Sequence, residues 1–440
     1  MGIRIRHILL PFTAILVAVL LLHYPLGFSQ ELSNQIKSPA GLPLLPEYAF
    51  VRQDLNQLMY FGNAKKSFEH IFGKMEQMLF YGEGEIDIVH IGGSHVQAGT
   101  LSNRMRENMI SMLGGSRGNP GFFFPYMMAN TNGPASIQAE FTGNWEGCRC
   151  AVASDKCSWG LSGYNSSTQD SAVSVKISAL RPDGSHYSFR KATIYHLEGD
   201  SAYCLDALSR QNLHSITPSK ERGYTVFTFD APEDTLELNI YKTDTLGATF
   251  TLQGILLEDE IGGLTYHTIG VNGASVASYL RCNDFETHLK TIHPDLVIFG
   301  IGMNDAYGPN GDFNQAAYEK NYRELMQKFK RRNPNVQFIF ITNNDSYYKK
   351  KKVNQNVFNV CQAMRTLAEE SNSAVWDLFE IMGGLESIRA WEEAGLAKSD
   401  RVHLTQKGYT LQADLMSHAI YRAFGDYLET KYSAFNTGKE

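Results

Sequence analysis

Apolar residues recur along the chain with two different periods. From about Ala49 to Phe80 the spacing of Leu55, Leu58, Phe68, Ile71 and Met75 predicts a helix, interrupted at Gly62 and Gly73. Four short, largely apolar runs read as buried strands: 85–91 (EIDIVHI), 296–300 (LVIFG), 336–342 (VQFIFIT) and 374–378 (AVWDL). Amphipathic stripes separate the later ones. Tyr318, Tyr322, Leu325 and Phe329 form one, and Val353, Val357, Val360, Met364 and Leu367 form another. The last stripe sets Leu411, Leu415 and Ala419 beside Met416, Ile420 and Phe424. Continuous apolar strands alternating with one-faced helices predict an α/β fold, a parallel sheet between two helical layers.

The texture changes between 137 and 262. Residues 171–180, 224–231, 235–243 and 248–258 alternate apolar with polar, and turn residues break them at short intervals. This pattern predicts an inserted antiparallel β-sandwich. The α/β pattern lies on both sides of it, at 49–136 and 263–440. A chain of 440 residues exceeds one ordinary core, which agrees with two units.

The N-terminus carries Arg4, Arg6 and His7, then an apolar run from 8 to 22, then the small residues Gly27 and Ser29. That order predicts an export signal over 1–29, cleaved before Gln30, with an uncleaved membrane anchor as the alternative. Residues 30–48, with Pro39, Pro43 and Pro46, read as an extended leader. The expected location is periplasmic or extracellular, with no membrane association after cleavage. The net charge of −6 argues against a nucleic-acid partner. The one basic run, Lys349 to Lys352, reads as a solvated helix start. Cys148, Cys150, Cys157 and Cys204 cluster, whereas Cys282 and Cys361 stand apart. The cluster lacks zinc-finger spacing, so no metal is expected; one or two disulfides and buried thiols both remain open.

Chemistry gathers at strand ends. Strand 85–91 runs into Gly92-Gly93-Ser94-His95, where a serine on a tight turn opening a helix presents its hydroxyl beyond the sheet. Gly270-Val271-Asn272-Gly273 follows a short strand at 264–268, and its glycines let backbone N–H groups approach a ligand. Strand 296–300 leads into Gly302-Met303-Asn304-Asp305, which offers a side-chain amide. Near the end, Asp400 and His403 sit three apart on a loop, so one carboxylate can orient the imidazole while its other nitrogen reaches Ser94.

These four motifs in this order, each in its place beside strand or final helix, resemble the SGNH/GDSL hydrolases over roughly 50–136 and 263–440. The resemblance implies a flavodoxin-like three-layer fold and a serine esterase that needs no cofactor. It implies Ser94 as nucleophile, His403 as general base, Asp400 as its orienting carboxylate, and Ser94, Gly273 and Asn304 as oxyanion donors. One departure stands out: Gly93 occupies the position of the usual Asp. Further candidates at the rim are His95, Asp305, Tyr307 and Asn343, the last followed by Asn344 and Asp345. His90 and Asp377 read as structural. The aromatics of 118–126 and Trp145 and Trp159 read either as packing or as sugar platforms. The layout is similar to peptidoglycan O-acetylesterases that carry a carbohydrate-binding-like β-domain at the same place. An acetylated polysaccharide, peptidoglycan before plant glycans, is therefore the expected substrate. Lipid or small acyl esters are the alternative, as is a catalytically weak glycan-binding protein. The oligomeric state is left open.

Overall fold

Each of the four apolar runs becomes a strand of one sheet in the computed structural model, which describes residues 41–115, 117–197, 202–243, 247–259 and 262–436. The expected export signal and most of the leader lie outside these residues. Among the described residues the sheet has seven strands. In spatial order they are Leu58–Tyr60, Ala374–Trp376, Gln337–Ile341, Leu296–Gly300, Glu85–Gly92, Gly263–Gly270 and Gly118–Asn119. All neighbours are parallel except the edge pair of Leu58–Tyr60 with Ala374–Trp376. Strands buried on both faces need apolar side chains at every position, which is why the sequence shows runs instead of alternation.

Two helical layers cover the sheet. Ile86, Ile88, Ile298 and Trp376 pack on helices Ala64–Tyr81, Thr100–Met112 and Gln406–Asn436. Val89, Ile91, Phe299 and Phe340 pack on helices Gln315–Arg332 and Asn356–Ser371. Three neighbouring strands end level: Gly92 is in register with Gly270 on one side and with Gly300 on the other. The loops that follow therefore leave the sheet together, which brings Ser94, Gly273 and Asn304 to one place.

The segment from 137 to 258 forms two antiparallel sheets sharing one core. Strands Tyr203–Ala207, Leu236–Lys242, Ala172–Ala179 and Ile137–Phe141 make the first. The second contains Phe189–His196, Phe250–Glu258 and Tyr164–Thr168, among others, and Gly121–Phe123 pairs onto it from the α/β part of the chain. Val175, Ile177, Ile194, Leu238 and Ile255 interdigitate between the sheets. Phe122, Phe124 and Tyr126 are buried at the join, with Phe124 stacked on Tyr164 and Tyr126 Oη donating to the Gly270 carbonyl at 2.7 Å. They are packing residues, as is buried Trp159, over whose ring Arg281 lies. Trp145 is half-buried against Phe250. Cys148 and Cys157 form a disulfide, while Cys150, Cys282 and Cys361 are buried free thiols and Cys204 is a partly buried one.

Two expectations are corrected. The helix begins at Ala64, not near Ala49, because Gly62 adopts φ 55° and Leu58–Tyr60 is recruited as the sheet edge. The lysine run is not a helix start. It is the tip of a hairpin whose strands are Tyr347–Tyr348 and Lys352–Val353, and the next helix begins at Asn356. Lys349 and Lys350 have φ 50° and 63°, closed by Lys351 N–H to the Tyr348 carbonyl at 3.2 Å. Side chains in this left-handed region cost about 1 kcal/mol each, and Asn-Gly usually fills such turns.

Candidate active site

The end of strand Glu85–Gly92 is tightly packed: a Cβ on Gly92 would sit 2.4 Å from Val96 and 2.8 Å from the Gly300 carbonyl oxygen. The chain turns there into helix Ser94–Gln97, leaving the Ser94 side chain half-buried at the sheet edge. Its Oγ lies 2.9 Å from His403 Nε2. His403 Nδ1 lies 2.9 Å from Asp400 Oδ2, and the other carboxylate oxygen accepts the N–H groups of Val402 and His403, both at 2.9 Å. Arg401 takes φ 55° to close this turn. Burial pushes the Asp400 carboxyl up, but the hydrogen bonds from His403 and Val402 outweigh it and hold the pKa below the ordinary value. An ionised Asp400 keeps the proton on Nδ1 and leaves Nε2 free to accept from the serine hydroxyl.

Donors converge on the same turn. Gly273 has φ 79°, a conformation that favours glycine. Among the described residues neither its N–H nor that of Ser94 has a hydrogen-bond partner. Asn304 Nδ2 gives one hydrogen to the Ala274 carbonyl at 2.9 Å and keeps the second. A Cβ on Gly93 would lie 3.3 Å from that same nitrogen, so an Asp here would press on the amide. Such a set can take an oxygen that becomes negative. The cavity between these groups is about 30 Å³ and is lined by Ser94, Asn304, Ile301, Asn343 and Leu378, among others.

Residues 247–411 match the GDSL-like lipase/acylhydrolase family. Over that span the chain is similar to GDSL-like acylhydrolases. The match begins at residue 247, inside the last part of the β-rich segment, and so leaves out the Ser94 turn. A search of curated protein sequences finds no significant match. Among solved structures, a peptidoglycan O-acetylesterase shares the fold with TM-score 0.64 and 20% identity, covering 84% of this chain and 99% of its own. An acetyl xylan esterase aligns with TM-score 0.29 and 22% identity over 36% of this chain and 80% of its own. A catalytic mutant of an acetylxylan esterase from Geobacillus stearothermophilus aligns with TM-score 0.29 and 23% identity over 38% and 74%. The chain is thus a carboxylic ester hydrolase.

The loops of the site are fastened by residues that the motifs did not single out. Gln97 is buried; its Oε1 accepts from Asn272 N–H at 2.6 Å and from Tyr164 Oη at 3.0 Å, and its Nε2 donates to the Asn132 carbonyl at 2.6 Å. It ties helix Ser94–Gln97 to the Gly273 loop and to the β-insertion at once. Asn344 Nδ2 donates to the Val402 carbonyl at 3.0 Å and so steadies the His403 loop. The signal for Gln97 was its place three residues after Ser94, one helical turn on.

The rim candidates separate. Asn343 is 7% exposed on the cavity wall. His95 packs its ring 5.2 Å from that of His403 and 5.5 Å from that of Tyr409, and burial pushes its pKa down to about 3, so it is neutral. Tyr307 is exposed and its Oη accepts the Lys349 N–H at 3.1 Å. His90 is buried and bonded to Tyr266 Oη, and Asp377 accepts from Thr342 and pairs with Arg365. Among the described residues no group of three His, Cys, Asp or Glu side chains could hold a metal.

Asp305 receives the Val276 N–H at 3.1 and 3.3 Å, linking the Asn304 loop to the helix after Gly273. Burial pushes its carboxyl up to about 7. A folded-state value above the unfolded one means the protonated form supports the fold. That support is complete below about pH 4 and is lost as pH rises through about 7. Asp305→Asn keeps an acceptor for Val276 without the charge. It is expected to match the parent Tm near pH 4 and to exceed it near pH 8–9. A Tm gap that stays constant across that range would show that another group titrates.

Proposed function

We propose that this ester hydrolase removes O-acetyl groups from a cell-envelope polysaccharide, peptidoglycan first, through an acetyl-enzyme on Ser94. The observation that carries the reading is the pair of 2.9 Å contacts joining Ser94 to His403 and His403 to Asp400. His403 Nε2 takes the hydroxyl proton as Oγ attacks the ester carbon. The oxyanion is held by the N–H groups of Ser94 and Gly273 and by the free hydrogen of Asn304. Collapse expels the sugar oxygen, which receives the proton back from His403. Water, deprotonated by the same nitrogen, then attacks the acetyl-serine carbon and acetate leaves.

The small cavity supports an acetyl group over a long acyl chain: at about 30 Å³ it has room for a few atoms only. The fold shared with a peptidoglycan O-acetylesterase extends through the insertion and over nearly all of that chain, which supports a glycan as the acetyl carrier. In this reading residues 137–262 form a carbohydrate-binding-like β-domain set between the two parts of the hydrolase domain, 49–136 and 263–440. Through Tyr164 it also braces Gln97 behind the nucleophile. The charged, apolar and small residues of 1–29 support export to the compartment where such a glycan lies. Among the described residues no helix is long and apolar enough to cross a membrane.

The test combines acetate release with labelling. The chain from Gln30 onward is incubated with O-acetylated peptidoglycan, and a fluorophosphonate-treated sample is mapped by mass spectrometry. Acetate release and an adduct on the Ser94 peptide are expected. An adduct elsewhere, or acetate release that survives labelling of Ser94, would sink the mechanism. Glycan binding without any acetate release would sink the esterase reading of that substrate.

A further inference from the structure

The tetralysine hairpin is anchored to both sides of the candidate active site. Tyr347 N–H donates to the Arg401 carbonyl at 2.9 Å, and Arg401 lies between Asp400 and His403. Lys349 N–H donates to Tyr307 Oη, three residues beyond Asn304. The rings of Tyr307 and Tyr348 meet edge to face at 5.2 Å. The hairpin is thus a strap between the histidine loop and the amide loop, and its tip is where four charges stand.

All four lysines are exposed, and among the described residues none pairs with a carboxylate. Lys349 rests only over the Tyr348 ring. Four adjacent positive charges repel one another, and Lys349 and Lys350 are held in a backbone conformation better suited to Asn or Gly. The whole chain has a net charge of −6 with these four lysines included, so the run is a local positive patch on an acidic protein and attracts an anionic polymer. Lysine ammonium groups are mobile point charges without the planar fork of arginine, which suits several spaced anions better than one fixed anion.

We propose that this hairpin docks a carboxylate-bearing glycan strand, so that the Ser94 site deacetylates acidic glycans in preference to neutral ones. The proposal rests on the esterase reading above and sharpens it. Peptide-substituted and uronate glycans carry carboxylates at regular intervals, and neutral acetylated xylan does not.

The test replaces the tip with Lys349→Asn, Lys350→Gly, Lys351→Gln and Lys352→Gln. Asn-Gly suits positive φ, so the variant removes four charges while favouring the turn. For each enzyme, normalised by active-site titration, kcat/KM is measured on acetylated polygalacturonate and on uronate-free acetylated xylo-oligosaccharides. The ratio of the two is expected to fall about tenfold in the variant. In the parent it is expected to fall similarly between about 0.01 and 1 M salt, as the screening length drops from about 30 to about 3 Å. An unchanged ratio in the variant, or full salt sensitivity retained by it, would overturn the proposal. Binding of unacetylated polygalacturonate by affinity electrophoresis reads docking without turnover. Binding by the parent that is lost in the variant supports the hairpin, and equal binding or none by both overturns it. Absence of turnover on every ester counts against the esterase reading alone.

Discussion

His403→Ala is expected to lower kcat for acetyl ester hydrolysis by about four orders of magnitude or more, with KM changed by only a few-fold. The reason lies in what the imidazole does and does not touch. Its Nε2 faces the Ser94 hydroxyl and its Nδ1 faces Asp400, so the role proposed for it is proton transfer, not holding the bound ester. A serine hydroxyl at neutral pH is a poor nucleophile without a base, and removing the base leaves only the oxyanion donors and binding. Ser94→Ala is expected to fall to the same floor, and the double variant no lower, because the two residues act as one unit. Steady-state kinetics on p-nitrophenyl acetate and on an acetylated glycan reads all three. Losses that add in the double variant would mean that the pair does not share a step. A His403→Ala enzyme within tenfold of the parent would mean that Ser94 is not activated by this imidazole.

The legibility of this chain follows its physics. The parallel sheet could be read because strands buried on both faces are mostly apolar: 296–299 are apolar at every position, and so are 338–341. The four loops could be read because doubly wound sheets expose chemistry at strand ends. Their convergence needed the structure, since it depends on Gly92, Gly270 and Gly300 ending at one level. Four strands of the insertion are legible from their alternation, whereas Phe189–His196 buries nearly every position and Tyr203–Ala207, though alternating, is only five residues long. Gln97 and Asn344 act through backbone partners distant in sequence, and nothing in residue type announces that. The lysine hairpin was misread because lysine is an ordinary helix residue and seldom takes positive φ; tertiary anchoring at Tyr307 and Arg401 overrode that preference.

Asn304→Ala is expected to lower kcat by about two to three orders of magnitude while KM stays within a few-fold. One hydrogen of the amide holds the Ala274 carbonyl, and the second is the only side-chain donor assigned to the oxyanion. A donor aimed at charge that appears only in the transition state contributes there and little to ground-state binding, which is why kcat carries the loss. The same amide also fastens the Gly273 loop, so a purely structural role must be separated. Thermal unfolding does part of this: the lost bond to Ala274 is expected to cost about 1 kcal/mol, a shift of a few degrees. Asn304→Asp does the rest, since it keeps the shape but turns a donor into an acceptor. It is expected to be at least as slow as the Ala variant, because a carboxylate would face both the Ala274 carbonyl and the developing oxyanion. A KM rise that accounts for the whole loss in kcat/KM, with kcat near the parent value, would assign Asn304 to substrate positioning and leave the oxyanion to the two backbone N–H groups.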